Sequence, residues 1–249
     1  MTIYENERID EVNDSLSLIQ KTDGLTFGTD ALLLAGYVVG KYRSGAELGG
    51  GGGIISMLLL SREKVGNINA YEIQSEYADL ISRNAEYNNL SDRLTSICLD
   101  IRDIPKEESC DIVFTNPPYM KTGSGLSNRE DRKNIARHEV FGTIQDFCLA
   151  AKRILKFGGA FYAVYRPDRL ADIIFAMREA SLEPKRVTFV HADTDSEASI
   201  VLIEAKRGGR SGMLLTKPLI IYKDRSHKEY TSDMSYIMEE GSFPDKFKR

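Results

Sequence analysis

Residues 46–60 read AELGGGGGIISMLLL, which predicts a short apolar strand, a turn of five glycines and an apolar helix. Glu47 comes first, and glycines then follow in a Gly-x-Gly-x-Gly frame at Gly49, Gly51 and Gly53. Glycine allows a tight turn and lets a ligand lie close against the main chain. Five glycines also suit a flexible linker, but their place between a strand and a helix favours a ligand-binding turn.

Short apolar runs alternate with helical periodicity on both sides of this turn. The predicted strands are 46–48, 68–73, 94–99, 111–115, 160–165, 186–191, 199–206 and 219–222. The predicted helices are 29–42, capped by Thr29 or Asp30, then 54–62, 75–88, 142–155, 168–181 and 232–240. Strand-then-helix order with fully apolar central strands predicts an α/β fold, a doubly wound and mostly parallel sheet. The last two long strands have no helix between them, which predicts an antiparallel edge pair.

The chain of 249 residues is long enough for a substantial core and shows no linker, so we expect one domain over 1–249. Residues 1–23 and 208–249 are expected to be extensions of it. The three cysteines, an odd number without ligand-like spacing, predict reduced thiols, with neither a disulfide framework nor a metal site. No targeting or membrane-spanning segment is predicted, so we expect a cytoplasmic protein. Its oligomeric state is left open, with a monomer plausible.

Acidic residues end three predicted strands. Glu47 lies in the first, Glu72 follows Gly53 by 19 residues, and Asp100 comes at the end of the third strand. A nucleotide-binding sheet places an acid at the position of Glu72, where it accepts hydrogen bonds from ribose hydroxyls. Three acids at one sheet edge suit a ligand with positive charge and hydroxyl groups, and they disfavour a pyrophosphate.

Asn116-Pro117-Pro118-Tyr119 follows the fourth strand directly. The two prolines end the strand and remove two backbone donors. The corner therefore offers two acceptors, the side-chain oxygen of Asn116 and the carbonyl of Pro117, which can hold both N–H groups of an amine. Tyr119 offers a flat face for a planar base.

Together these motifs resemble those of the class I S-adenosylmethionine-dependent methyltransferases that modify exocyclic amines or amides. The sequence more narrowly resembles the bacterial tRNA adenine N6-methyltransferases that act beside the anticodon of a valine tRNA. That resemblance rests on the segments 27–34 (FGTDALLL), 135–139 (IARHE), 165–170 (YRPDRL) and 183–186 (EPKR). The sequence departs from these relatives at Gly50 and Gly52, where they carry a small polar residue and an Asn.

The resemblance implies a seven-stranded sheet with the final strand inserted antiparallel, and it implies a role for each motif. Asn116, Pro117, Pro118 and Tyr119 would form the catalytic corner. The cofactor would be S-adenosylmethionine, held at its ribose by Glu72 and at its adenine by Asp100 and Ile101. The other cofactor-binding residues would be Phe27, Thr29, Asp30, Glu47, Gly49, Gly51, Gly53 and Ile73, together with Asn116.

A basic segment follows the catalytic corner. Residues 121–138 contain six basic side chains and only two acidic ones, although the net charge of the chain is −4. A flexible basic loop beside the acceptor corner favours RNA binding, although a solvated surface loop is the commoner reading of a charge run. The predicted RNA-binding residues are Lys121, Arg129, Arg132, Lys133, Arg137 and His138.

Other functions fit parts of this pattern. Protein glutamine N5-methyltransferases also use Asn-Pro-Pro-Tyr, but only 46 residues precede Glu47, too few for their usual substrate domain. An rRNA or DNA amino-group methyltransferase is a second alternative, although the C-terminal extension is short for a sequence-reading domain. A non-catalytic nucleotide- or RNA-binding module would retain the glycine turn without needing Asn116 and Tyr119. We therefore predict transfer of a methyl group to N6 of an adenine in RNA, with tRNA as partner and without a metal.

Overall fold

A computed structural model describes residues 3–22, 28–118 and 142–248. The strands are β1 Glu7–Asn13, β2 Leu16–Lys21, β3 Tyr42–Leu48, β4 Val65–Glu72, β5 Leu94–Cys98, β6 Cys110–Thr115, β7 Leu155–Tyr165, β8 Leu182–His191, β9 Ala198–Arg207, β10 Leu214–Leu215 and β11 Leu219–Ile220. The helices are α1 Thr29–Tyr37, α2 Ile54–Ser61, α3 Ser75–Tyr87, α4 Ile144–Ile154, α5 Leu170–Glu179 and α6 Ser232–Glu240.

The main sheet runs β10-β8-β9-β7-β6-β3-β4-β5, and β11 also pairs with β8. Strands β3 to β7 are mutually parallel, whereas β9 is antiparallel to both of its neighbours, β7 and β8. The predicted α/β class, parallel centre and antiparallel pair are therefore confirmed. Two-residue strands β10 and β11 extend the β8 edge beyond the seven expected strands.

Helices cover both faces of the sheet. In β7, Tyr162 and Val164 pack into one core with α1, α2 and α6, whereas Phe161 and Ala163 pack into the other with α4 and α5. This alternation follows from the two-residue period of a strand, and burial on both faces explains why the central strands are apolar throughout.

The first helix differs from its predicted range. It ends at Tyr37, and Tyr42 begins β3. Gly40 between them has a positive φ of 92°, a left-handed conformation that does not continue a right-handed helix. The N-cap is Gly28, without a side-chain cap, so Thr29 and Asp30 are the first helical residues and not caps.

The strand order of the sheet changes direction between β3 and β6, which gives the sheet a topological switch point. From β3 the chain proceeds outward through β4 to β5, and then returns to the other side of β3 to form β6 and β7. Leu48 pairs with Thr115 at the carboxyl ends of these strands, and the Thr115 hydroxyl donates to the Leu48 carbonyl at 2.8 Å. In open α/β sheets a ligand binds in the crevice at such a switch point.

A buried lysine joins the C-terminal extension to this core. Lys64, which is 9% exposed, donates to the carbonyls of Ala35, Gly36, Val38 and Gly241 at 2.9–3.2 Å. These acceptors lie at the end of α1 and directly after α6. One ammonium group therefore satisfies carbonyls from two parts of the chain that are distant in sequence.

We predict that Lys64→Met lowers the free energy of unfolding by about 2–4 kcal/mol, because it fills the space but leaves buried carbonyls without a donor. Lys41→Met is the matched control, since Lys41 has a side chain 78% exposed, and it should change stability by less than about 0.5 kcal/mol. Urea unfolding of the three proteins measures both values. Equal stability of the Lys64 variant and the wild type would contradict the role given to Lys64.

Candidate active site at the carboxyl edge of the sheet

A large cavity lies at the β3–β6 switch point. Its volume is about 1670 Å³, larger than the roughly 300–1,000 Å³ of common small-molecule pockets. The glycine turn after β3 lines it, as do the residues that end β4, those that follow β5, and the corner after β6. The lining residues that the sequence predicted are Asp30, Glu47, Gly49, Gly51, Glu72, Ile73, Asp100, Ile101, Asn116, Pro117 and Pro118.

The glycine turn bends sharply around the end of β4. Gly49, Gly51 and Gly53 have positive φ angles of 72°, 53° and 82°, which residues other than glycine rarely adopt. A Cβ added at Gly51 or Gly52 would meet no heavy atom within 4 Å. The turn thus leaves an open cradle of main chain toward the cavity, as a closely bound ligand requires.

Glu47 is buried beneath the turn. It is 1% exposed, and its carboxylate accepts from the backbone N–H of Ser56 at 3.2 Å and from the Ser56 hydroxyl. Burial raises the pKa of Glu47 to about 8, against the opposing effect of these two hydrogen bonds. Glu47 therefore holds the start of α2 beneath the cavity. Its place two residues before the glycines did not predict this burial or its hydrogen bonds to Ser56.

Glu72 links the end of β4 to the glycine turn. One carboxylate oxygen accepts from the Gly51 N–H at 2.9 Å, and the other accepts from the Gln74 N–H at 3.0 Å. The oxygen that accepts from Gly51 has a further lone pair for a ligand hydroxyl, whereas the other oxygen also accepts from the Gln74 side-chain amide at 3.5 Å. The acid predicted for a ribose therefore lies in the cavity wall and also holds the turn.

Asp100 is paired with Arg102. Its carboxylate accepts from the Arg102 backbone N–H at 2.8 Å and from the guanidinium at 2.5–3.0 Å. These hydrogen bonds lower the pKa of Asp100 below its usual value. Its charge is therefore balanced by the neighbouring guanidinium of Arg102.

The corner after β6 faces the same cavity. Asn116 is half-buried, Pro117 is buried and Pro118 is exposed, and all three line it. Within the described parts of the chain, no hydrogen bond engages the Asn116 side chain. Its amide oxygen is therefore available to a ligand that enters between this corner and the glycine turn.

The remaining predicted residues divide into two groups. Thr29 and Gly53 are described but do not line the cavity. Phe27 and Tyr119 lie outside the described residues, as do all six predicted RNA-binding residues, Lys121 to His138.

Two further parts of the cavity wall were not predicted from the sequence. Strand β2 contributes Leu18 to Lys21. The segment after β7 contributes Arg166 to Asp168, and Glu197 with the first residues of β9 contributes the stretch to Ile200. Arg166 pairs with Asp168 at 2.6 Å. The segment 165–170 carried a family resemblance but no assigned role, and residues 1–23 carried no recognisable motif.

A family comparison agrees with this geometry. Residues 21–172 match the model of the methyltransferase small domain. The chain belongs to this family. A relative from Dyadobacter fermentans is 26% identical over 71% of this chain and 73% of its own length, and it is named tRNA1(Val) (adenine(37)-N6)-methyltransferase. The chain is accordingly a methyltransferase, as predicted.

Solved structures share the fold. A predicted O-methyltransferase from Agrobacterium tumefaciens is 24% identical, with a TM-score of 0.71 over 86% of this chain and 98% of that one. Geranyl diphosphate C-methyltransferase from Streptomyces coelicolor, in complex with S-adenosyl-L-homocysteine, has a TM-score of 0.53, with 16% identity over 71% of this chain and 76% of its own. Membership of the methyltransferase small-domain family supports S-adenosylmethionine as the cofactor.

Within 3–22, 28–118 and 142–248, no three His, Cys, Asp or Glu residues cluster in a way that could hold a metal ion. No helix in these ranges has the length and apolar character needed to cross a membrane.

We predict that Glu47 makes stability fall as pH rises. Its pKa is about 8 in the fold and near 4.5 when unperturbed, so between these values the folded state retains a proton that the unfolded state releases. Unfolding free energy should therefore decrease across this window, by up to about 1.4 kcal/mol per pH unit. Glu47→Gln removes the titration and should flatten the dependence.

Urea unfolding at pH 5, 6.5 and 8 measures this difference. Glu63→Gln is the control, because the Glu63 side chain is 78% exposed, and it should retain the wild-type pH profile. Identical profiles for all three proteins would mean that Glu47 is ionised throughout.

Proposed function

We propose that the protein transfers a methyl group from S-adenosylmethionine to N6 of an adenine in tRNA, beside the anticodon. The observation that carries this proposal is the single cavity shared by the glycine turn and the Asn116 corner. Its volume accommodates a nucleoside-sized cofactor together with an extruded base. Further relatives with the same printed name as the Dyadobacter protein support the choice of tRNA.

The residues around the cavity fit this cofactor. The main chain of Gly49 and the open main chain at Gly51 would take its amino-acid end, with Glu47 bracing the turn from below. Glu72 would accept from the ribose hydroxyls, while Asp100 and Ile101 would border the adenine. Asp30 and Ile73 also line the cavity, and Phe27 would close over the methionine portion, whereas Thr29 lies outside the cavity lining.

The Asn116 corner would prepare the amine for attack. S-adenosylmethionine supplies a methyl group on a positively charged sulfur, so the step needs little acid or base assistance. The difficulty is the adenine nitrogen, whose lone pair is delocalised into the ring. Acceptance of its two N–H groups by the Asn116 side chain and the Pro117 carbonyl favours a pyramidal nitrogen and stabilises developing positive charge. Pro118 stiffens the corner, and Tyr119 would stack on the base.

Alignment of nitrogen, methyl and sulfur would supply the remaining acceleration through proximity. The N–CH3 bond would form as the S–CH3 bond breaks, S-adenosylhomocysteine would leave, and the methylated nitrogen would lose its proton to water. The scheme therefore assigns no step to a metal ion or to a histidine, cysteine or serine.

The basic segment from Lys121 to His138 would hold the tRNA phosphates around the flipped base. It follows the catalytic corner directly in sequence, so contacts there would position the backbone while the cavity selects the base. We also propose that residues 1–249 form one domain, because the N-terminal hairpin lines the cavity and β10 and β11 extend the sheet. With tRNA as substrate, the reaction would take place in the cytoplasm.

We predict that the wild-type protein makes N6-methyladenosine in bulk tRNA and that Asn116→Ala is about 100- to 1,000-fold slower, since one of two acceptors is lost. Asn67→Ala, at an exposed site in β4, should retain wild-type activity. The assay is transfer of labelled methyl followed by nucleoside analysis, with cofactor affinity measured by calorimetry.

Labelled protein instead of labelled tRNA would overturn the RNA substrate and favour glutamine methylation. Full activity of Asn116→Ala would remove the catalytic corner from the mechanism.

We also predict that Arg132→Ala and Arg137→Ala weaken tRNA binding and reduce its salt dependence, because each removes a cation available to phosphates. Their cofactor affinity should stay at the wild-type value. Lys41→Ala is the control, since Lys41 lies at the amino end of β3, away from the cavity edge. Titrations at several salt concentrations give the slopes, and simultaneous loss of tRNA and cofactor binding would mean that the arginines are structural.

A further inference from the structure

The N-terminal hairpin contributes a wall to the cavity that the proposed mechanism leaves without a role. Strands β1 and β2 pair with each other and form a sheet separate from the main one. Leu18, Ile19, Gln20 and Lys21 of β2 line the cavity beside the glycine turn. The hairpin must therefore be held in place by contacts other than sheet pairing with the core.

Two asparagines at the C-terminal end of α3 provide the main-chain contacts, Asn84 within the helix and Asn88 directly after it. Asn88 accepts from the Ser17 N–H at 3.0 Å and donates to the Ser17 carbonyl at 2.8 Å. Asn84 likewise accepts from the Ile19 N–H at 2.7 Å and donates to the Ile19 carbonyl at 3.1 Å. Because side chains at i and i+4 share one face of a helix, and alternate strand residues share one edge, the two amides act as a substitute strand for β2.

Asn84 makes one contact that Asn88 does not. Its amide nitrogen also donates to the carbonyl of Gly52, in the glycine turn, at 3.0 Å. Asn84 is fully buried, so these bonds are shielded from competing water. A single side chain thereby joins the hairpin, α3 and the turn.

Charged contacts fasten the same hairpin to α3. Arg83 donates to both carboxylate oxygens of Glu7, at 2.6 and 2.8 Å, and Lys21 pairs with Glu76. These pairs hold the hairpin but do not reach the glycine turn. Among the described contacts of α3 with the hairpin, the connection to the turn runs through Asn84.

We propose that Asn84 is a positioning residue that couples the N-terminal hairpin to the glycine turn, so that both form one cofactor-binding wall. The inference rests on the proposed binding of S-adenosylmethionine in this cavity. It extends that function by giving residues 7–21 a part in cofactor affinity. It also predicts that the cofactor and the hairpin stabilise each other.

The experiment compares Asn84→Ala with Asn88→Ala. Each variant leaves one β2 residue, Ile19 or Ser17, without its side-chain partner, but only Asn84→Ala also frees the Gly52 carbonyl. Calorimetry with S-adenosylmethionine and S-adenosylhomocysteine should give at least a tenfold higher Kd for Asn84→Ala and less than a twofold change for Asn88→Ala. Thermal unfolding measures the stability that each variant loses. In tRNA methylation, Asn84→Ala should raise KM for the cofactor with little change in kcat.

A second measurement uses the wild-type protein and does not depend on the folding of a variant. Hydrogen exchange of the peptide that spans residues 16–21 is followed with and without S-adenosylhomocysteine. Coupling through Asn84 should slow exchange of the Ile19 amide at least threefold when the ligand binds.

Each outcome has one meaning. No binding of either ligand by the wild type would defeat the proposed function itself. Binding by the wild type with equal Kd values for both variants, or with unchanged exchange in β2, would overturn the role of Asn84 and leave the proposed function standing. A tenfold loss in both variants would also overturn it, because hairpin attachment alone would then explain the effect.

Discussion

The pairing of β3 with β6 is the constraint on which the rest of this structure depends. Leu48 and Thr115 lie opposite each other, and the Thr115 hydroxyl donates to the Leu48 carbonyl. The glycine turn begins one residue after Leu48, and Asn116 follows Thr115. A register shift of one residue would turn the side chains of β6 to the opposite faces of the sheet and displace the corner from the turn.

The acidic side chains around the cavity form hydrogen bonds and ion pairs with other residues of the protein. Glu47 braces α2 through Ser56, Glu72 holds Gly51 and Gln74, and Asp100 is balanced by Arg102. The side chains of the site are therefore held by other residues of the protein, which reduces the ordering cost of binding. Asn116 differs from these acids, because its side chain has no partner among the described residues.

Peripheral segments add to this centre from both ends of the chain. The hairpin of β1 and β2 packs on α3 and lines the cavity, while Lys64 ties α1 to the residue that follows α6. Each attachment uses a buried polar side chain that satisfies main-chain groups of a distant segment. Such contacts depend on single polar residues and produce no repeating apolar pattern in the sequence. Both termini were therefore predicted only as extensions.

Local sequence features were enough to predict the α/β class, the order of the central strands along the chain, the glycine turn and the Asn-Pro-Pro corner. Periodicity, glycine and proline act over a few residues, so these features can be predicted locally. Tertiary structure alone decided which strands are neighbours, that α1 ends at Tyr37, and that Asp100 is paired with Arg102. It also brought Asn84 to both Ile19 and Gly52. Those outcomes depend on contacts between residues far apart in the chain, and packing of the whole molecule selects them.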